Sequence, residues 1–158
     1  MEAQLFNAIR QEDISEVSII LENSPELVSK KDARGSTPLL LASYYGLYDI
    51  SEIILKYPQN IDEQDASGNT ALMGVCFKGF DTIAKLLLDK GANPNITNFN
   101  GATALIFAAT FDRKEIAKTL LENGADKTLK DDRGNTAADH AKMQGIREMV
   151  ELLEEKKE

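Results

Sequence analysis

Tryptophan is missing from this chain, and cysteine and histidine occur once each, as Cys76 and His140. A lone cysteine forms no internal disulfide and builds no cysteine-ligated zinc site, so the expected compartment is the cytosol. A basic excess is missing too: 18 Lys and Arg against 26 Asp and Glu leave a net charge of −8. That balance argues against nucleic acid, which needs a positive patch to displace phosphate counterions, and against docking on anionic lipid. The longest apolar runs, such as Leu39 to Ala42, fall far short of the ~18 residues of a membrane helix. The start, Met1-Glu2-Ala3-Gln4, has no basic stretch and no long apolar core, and no secretory signal is expected. Acid is concentrated early, where Glu2, Glu12, Asp13, Glu16, Glu22 and Glu26 face Arg10 alone, which reads as a solvated end face.

What is present is a folded composition, 42% hydrophobic and 28% charged over 158 residues, enough for one domain or a short array of repeats. An array is what the spacing shows. Glycines stand at 35, 68, 101 and 134, each 33 residues from the last. Thr37, Thr70, Thr103 and Thr136 follow two residues after each, and Leu39, Leu72 and Leu105 follow four after the first three, with Ala138 in the fourth. Gly46, Gly79, Asp112 and Gly145 form another column in the same phase. Several positions in phase over four windows make a tandem repeat.

Each unit reads as two helices and a turn. The threonine caps the first helix, and Pro38 stands just inside, where its missing N–H is harmless. The glycine nine residues later suits a left-handed stop, and Asp112 in that slot predicts strain in the third turn. A second helix carries Ile50, Ile53 and Ile54, then Ile83, Leu86 and Leu87, then Ile116, Thr119 and Leu120, one apolar stripe at helical spacing. Pro58, Gly91 and Gly124 end these helices. No unit can bury its stripe alone, so each must stack on its neighbours.

Three segments resemble ankyrin repeats: Asp32 to Leu39, Leu86 to Asn93 and Leu120 to Asp126. The resemblance runs over nearly the whole chain. It implies an all-α repeat solenoid of stacked helix–turn–helix units with short β-hairpin fingers. It also implies a division into an N-cap repeat (1–33), full repeats (34–66, 67–99, 100–132) and a C-cap repeat (133–158). The histidine usual after the motif leucine is replaced by Leu40, Met73, Ile106 and Asp139, which points to apolar contact in place of inter-repeat histidine bonds. Glu16 at one end, with Lys142 and Glu154 at the other, puts polar groups where inner repeats carry apolar ones. Such substitutions are what terminal repeats need, so the chain reads as complete and as a monomer when unbound. The segment Glu154-Glu155-Lys156-Lys157-Glu158 reads as a fraying tail.

Candidates for chemistry are few. His140 stands in the column of Leu41 and Phe107 and reads as a packed, structural imidazole beside Phe107. Cys76 aligns with Ser43 and Ala109 and reads as a buried, inert thiol. Asp32, Asp65 and Asp131 recur in phase, as turn residues do. Asn95-Ile96-Thr97 matches a glycosylation sequon but reads as part of the link between repeats. No nucleophile–base arrangement, phosphate loop or metal-ligand spacing can be assembled, so no catalytic, cofactor or metal residue is assigned. Gly74, in the same column as Leu41 and Phe107, costs helix stability, and Phe107 is expected to fill the space it leaves.

The resemblance implies a concave surface for binding other proteins, made of finger tips and first-helix ends. Carried over by register, the fingers contribute Arg34, Ser36, Asn69, Phe99, Asn100 and Arg133. The helix ends contribute Tyr44, Tyr45, Phe77, Lys78, Thr110, Phe111 and Met143, with Arg10 at the equivalent place in the first repeat. Five of the ten aromatic residues fall on this set, with Arg34, Lys78 and Arg133 beside them. Aromatics with a few cations are the composition of protein-binding anchors, and they suit an apolar partner with acidic flanks. Tyr45 and Phe111 read as exposed, while Phe77 and Phe99 are open between exposure and packing. The expected function is a non-enzymatic module binding a protein or peptide in this groove. A dedicated inhibitor or stabilising subunit of one enzyme is the alternative, and a small-molecule binder stands behind both.

Overall fold

The computed structural model describes residues 1–155, and ten α-helices lie within them. The helices come in pairs. The pairs are α1 (Glu2–Arg10) with α2 (Ile14–Asn23), α3 (Pro38–Tyr44) with α4 (Tyr48–Ile54), and α5 (Ala71–Lys78) with α6 (Asp81–Asp89). They continue with α7 (Ala104–Thr110) and α8 (Lys114–Glu122), then α9 (Ala137–Met143) and α10 (Arg147–Glu154). A 3-10 turn, Pro25–Ser29, follows α2.

Every first helix after α1 opens the same way. Thr37, Thr70, Thr103 and Thr136 each accept, through Oγ1, the amide three residues on at 3.2 Å. A cap of this kind contributes about 1 kcal/mol, and the 33-residue threonine period is thus read directly as helix starts. At Thr136 the bond is reciprocated, because Asp139 Oδ2 accepts the Thr136 amide at 2.9 Å.

The same turns close with a left-handed residue: Gly46 at φ +74°, Gly79 at +84° and Gly145 at +70°. Asp112 holds the slot at +58°, the strain its sequence position predicts, and Glu12 holds the first-repeat equivalent at +56°. Close packing adds a second reason for glycine here. A Cβ on Gly46 would lie 2.9 Å from Phe80 Cζ, and one on Gly79 would lie 2.9 Å from Arg113 Cζ. The third and fourth repeats therefore each seat a side chain from the inter-helix turn, Phe80 and Arg113, on the glycine of the repeat before.

The expected β-hairpin fingers do not form: no strand occurs among the described residues. Two backbone bonds close each finger, in the first Asp32 N–H to the Ser36 carbonyl at 2.9 Å and Gly35 N–H to the Asp32 carbonyl at 3.0 Å. The reciprocal rung of a hairpin would run from the Ser36 amide to the Asp32 carbonyl. That amide instead donates to Asp32 Oδ1 at 3.0 Å, as does the Arg34 amide at 2.9 Å. Asp65, Asn98 and Asp131 repeat this arrangement, so the side chain turns each finger into a tight loop.

The core is one continuous stack. Leu39, Leu72 and Leu105 from the first helices meet Ile54, Leu87 and Leu120 from the second, all essentially inaccessible. The residues replacing the motif histidine behave as the pattern suggests, with Leu40, Met73 and Ile106 all buried. First helices of successive repeats pack on one another more extensively than the second helices do. On the outer side, Asp62 Oδ1 accepts the Asn93 amide at 2.9 Å and Asn95 Oδ1 accepts the Asp126 amide at 2.8 Å, linking one repeat to the next. Asn95 is therefore part of the link.

Polar groups at the ends face water. Glu16 is exposed where its counterpart Ile50 is buried. Lys142 and Glu154, both replacing apolar residues, pair with each other at 2.6 Å. Glu154 closes α10, and residues 156–158 of the expected tail lie outside the described residues.

Candidate functional site

The threonine caps and left-handed stops hold the first helices short, and each ends at the turn before its second helix. The two residues before each stop therefore point along one edge: Tyr44 and Tyr45, Phe77 and Lys78, Thr110 and Phe111. All four aromatic rings are exposed, and so is Phe99 on the third finger, at 66%. The open question at Phe77 and Phe99 is thereby answered, since neither packs out of solvent.

The rings are ordered against one another. Phe77 and Phe111 meet edge to face, with centroids 4.8 Å apart at 85°. Tyr44 and Tyr45 stand nearly perpendicular with centroids 5.9 Å apart. Lys78 Nζ lies 5.1 Å above the Tyr44 ring, a cation–π contact between neighbouring repeats. Tyr44 and Lys78, then Phe77 and Phe111, thus run one after the other across three repeats.

Two adjoining hollows lie beneath this edge. The larger, about 640 Å³, is walled by Arg10, Arg34, Ser36, Tyr44 and Tyr45, with Asp32, Asp65 and Leu41 deeper. The smaller, about 260 Å³, lies among Met73, Phe77 and Phe107. They share Tyr44, Asn69 and Gly74.

Of the residues assigned from the sequence, Arg34, Ser36, Tyr44, Tyr45, Asn69 and Phe77 line the hollows. Lys78 joins them through Tyr44, and Phe111 through Phe77. Thr110 is half-buried, and its hydroxyl donates to the Ile106 carbonyl at 2.8 Å, a helix bond. Asn69 has a structural share as well, because its Oδ1 accepts from Asn98 Nδ2 at 2.9 Å. Phe99, Asn100, Arg133 and Met143 are exposed but wall neither hollow. Phe99 covers Gly68, where a Cβ would come within 2.7 Å of its ring.

Gly74 requires a correction. Tyr44, from the preceding repeat, leans over it, with Cδ1 3.3 Å from where a Cβ would be. Phe107 stands at the wall of the hollow and does not fill it. The Tyr44 ring reaches the space first, and a hollow remains between it and Phe107. Leu41 and Gly74 went unassigned because their column reads as packing; the signal was a glycine inside a helix.

The electrostatics are uneven. Arg10 pairs with Asp32 at 3.5 Å, whereas no acidic side chain pairs with Arg34, Lys78 or Arg133 among the described residues. His140 Nε2 meets Asp131 Oδ2 at 2.7 Å, tying α9 to the last finger, a structural imidazole. Burial alone would raise Asp131, but the Asn135 amide, the His140 ring and the Arg133 amide outweigh it and hold the carboxyl below its usual range. Cys76 is fully buried, and burial pushes its thiol far above the ordinary value.

Residues 54–131 and, overlapping them, 72–158 match a family model described as ankyrin repeats (3 copies), and residues 20–73 match one described as ankyrin repeats (many copies). The chain belongs to the ankyrin-repeat family. No curated protein matches it. Ankyrin repeats generally mediate protein–protein interaction and are typically non-enzymatic. No helix among the described residues is long and apolar enough to cross a membrane. In this ankyrin stack the aromatic edge runs along the first-helix ends, over repeats two to four of the five helix pairs.

Proposed function

We propose that the chain is a non-enzymatic binding module that holds a protein or peptide partner in its concave groove. The observation that carries this reading is the Phe77–Phe111 pair. Two phenylalanine rings held edge to face at 4.8 Å remain exposed, although the core has buried sites for apolar residues. Exposed aromatic groups clustered on one face mark interaction surfaces, and anchors of this type dominate binding energy. Rigid helix ends present them with little ordering cost, so more of the contact energy appears as affinity. Arg34, Lys78 and Arg133, with no acidic partner among the described residues, add positive points to a chain of net −8 and favour a partner with acidic flanks.

The test is affinity capture from lysate of the source cell with two baits, wild type and Tyr45→Glu/Phe111→Glu, after circular dichroism has shown that the variant folds. The reading expects a protein retained by wild type and lost from the variant. Equal retention by both baits places binding on another face and overturns it.

A further inference from the structure

We propose that the hollow above Gly74 is a side-chain pocket. It takes one leucine-sized aliphatic side chain from an extended segment of the partner, with a carboxylate of that segment reaching Arg34 or Lys78. The proposal rests on the groove reading above and specifies what the groove takes.

Gly74 lies inside α5 in helical conformation, and no left-handed turn requires it. Crowding is milder here than at Gly46 or Gly79: a Cβ at Gly74 would meet a single atom within 4 Å, Tyr44 Cδ1 at 3.3 Å, and that ring would have to shift by a few tenths of an ångström. Gly46 and Gly79 are different, since both are left-handed and both sit under a side chain at 2.9 Å. A helical glycine is less stable than alanine, and here no backbone requirement recovers the loss. What glycine supplies is space. Leu41 and Phe107 stand on either side in the same column, so Gly74 leaves a notch one side chain wide.

The chemistry of the notch selects its occupant. At about 260 Å³ it is smaller than the roughly 300–1,000 Å³ of small-molecule pockets and suits a single side chain. Its walls are Tyr44, Phe77 and Phe107, with Gly74 and the buried Met73 at its base. The one polar wall, Asn69, is already bonded to Asn98. A charged or amide guest would lose water there without adequate replacement. Charge complementarity supplies the second element. The larger hollow opens from Gly74 toward Arg34, and Lys78 stands over Tyr44, and no acid pairs with either cation among the described residues. The two hollows adjoin through Tyr44, Asn69 and Gly74 along the stack, a path that suits an extended chain.

The experiment pans a random dodecapeptide phage library on the full chain, then titrates the selected peptides against four proteins. These are wild type, Gly74→Leu, Gly74→Ala and Tyr45→Glu/Phe111→Glu, each checked by thermal melting. Wild type is expected to enrich peptides with Leu, Ile or Met within a few residues of Asp or Glu. Gly74→Leu should melt no lower than wild type and bind these peptides roughly tenfold or more weakly, with Gly74→Ala between the two. Equal binding by Gly74→Leu overturns the pocket, while the groove reading stands if the double variant still loses the peptides. Equal binding by the double variant as well removes the groove reading too. No enrichment, or peptides without the aliphatic and acidic pair, overturns the proposed occupant and leaves the groove to a folded partner. Lower melting temperatures for both Gly74 variants would show the glycine to be structural and overturn the pocket.

Discussion

Arg113 donates from Nη2 to the Phe77 carbonyl oxygen at 2.8 Å, while its guanidinium covers Gly79 at the end of the same helix. One residue of the fourth helix pair thus holds the helix end that presents Phe77. A cation at a helix C-terminus also meets the negative end of the helix dipole. Arg113→Ala is expected to lower stability by about 1 kcal/mol. Gly79→Ala should cost more, about 1–3 kcal/mol, because it combines a strained φ with a Cβ 2.9 Å from Arg113 Cζ. Urea unfolding of the two variants checks the order.

The two left-handed residues that are not glycine predict gains. Glu12→Gly should stabilise by about 1 kcal/mol, since an ordinary L-residue pays most in that conformation and glycine pays little. Asp112→Gly should gain less, about 0.5 kcal/mol, because aspartate tolerates the conformation better and its 2.7 Å contact with Lys114 is lost. Thermal melts of both variants test the ranking.

Asp131 predicts an acid-sensitive contribution. Its folded carboxyl is held below the ordinary value of 3.8, so its stabilisation is fully present above that pH and disappears as pH falls through the depressed value. Asp131→Asn keeps the finger, because Asn98 caps the equivalent finger with the same two amide bonds. It loses the charged partner of His140. Wild type should therefore exceed Asp131→Asn in stability near pH 6, with the gap closing toward pH 2 in urea titrations. A gap that stays constant with pH would contradict the assignment.

Cys76 should not react with a thiol reagent at pH 8 in the native protein, and should react at once in denaturant. Its raised pKa and complete burial remove both the thiolate and the access. Native labelling on the timescale of the unfolded chain would show the second full repeat opening locally.

The repeat lay open in the sequence because the residues that set the backbone are also those that recur: Thr70 as cap, Gly79 as stop, Leu72 and Leu87 as core. Each responds to its own neighbours, so a 33-residue period carries the information. The fingers were misread because whether Asp32 or a backbone carbonyl takes the Ser36 amide is decided between competing acceptors, and composition does not show the winner. That Tyr45 and Phe111 stand exposed was legible from their register. Gly74 was not, because its hollow depends on which way the Tyr44 ring turns, and that is a fact of packing between repeats.

The most direct measurement is hydrogen–deuterium exchange on the complex with the captured partner. The concave-groove account predicts new protection at the first-helix ends, around Tyr44–Tyr45, Phe77–Lys78 and Thr110–Phe111, and at the finger turns between them. Protection confined to the outer helices α4, α6 and α8, with the aromatic edge exchanging as in the free chain, would contradict it.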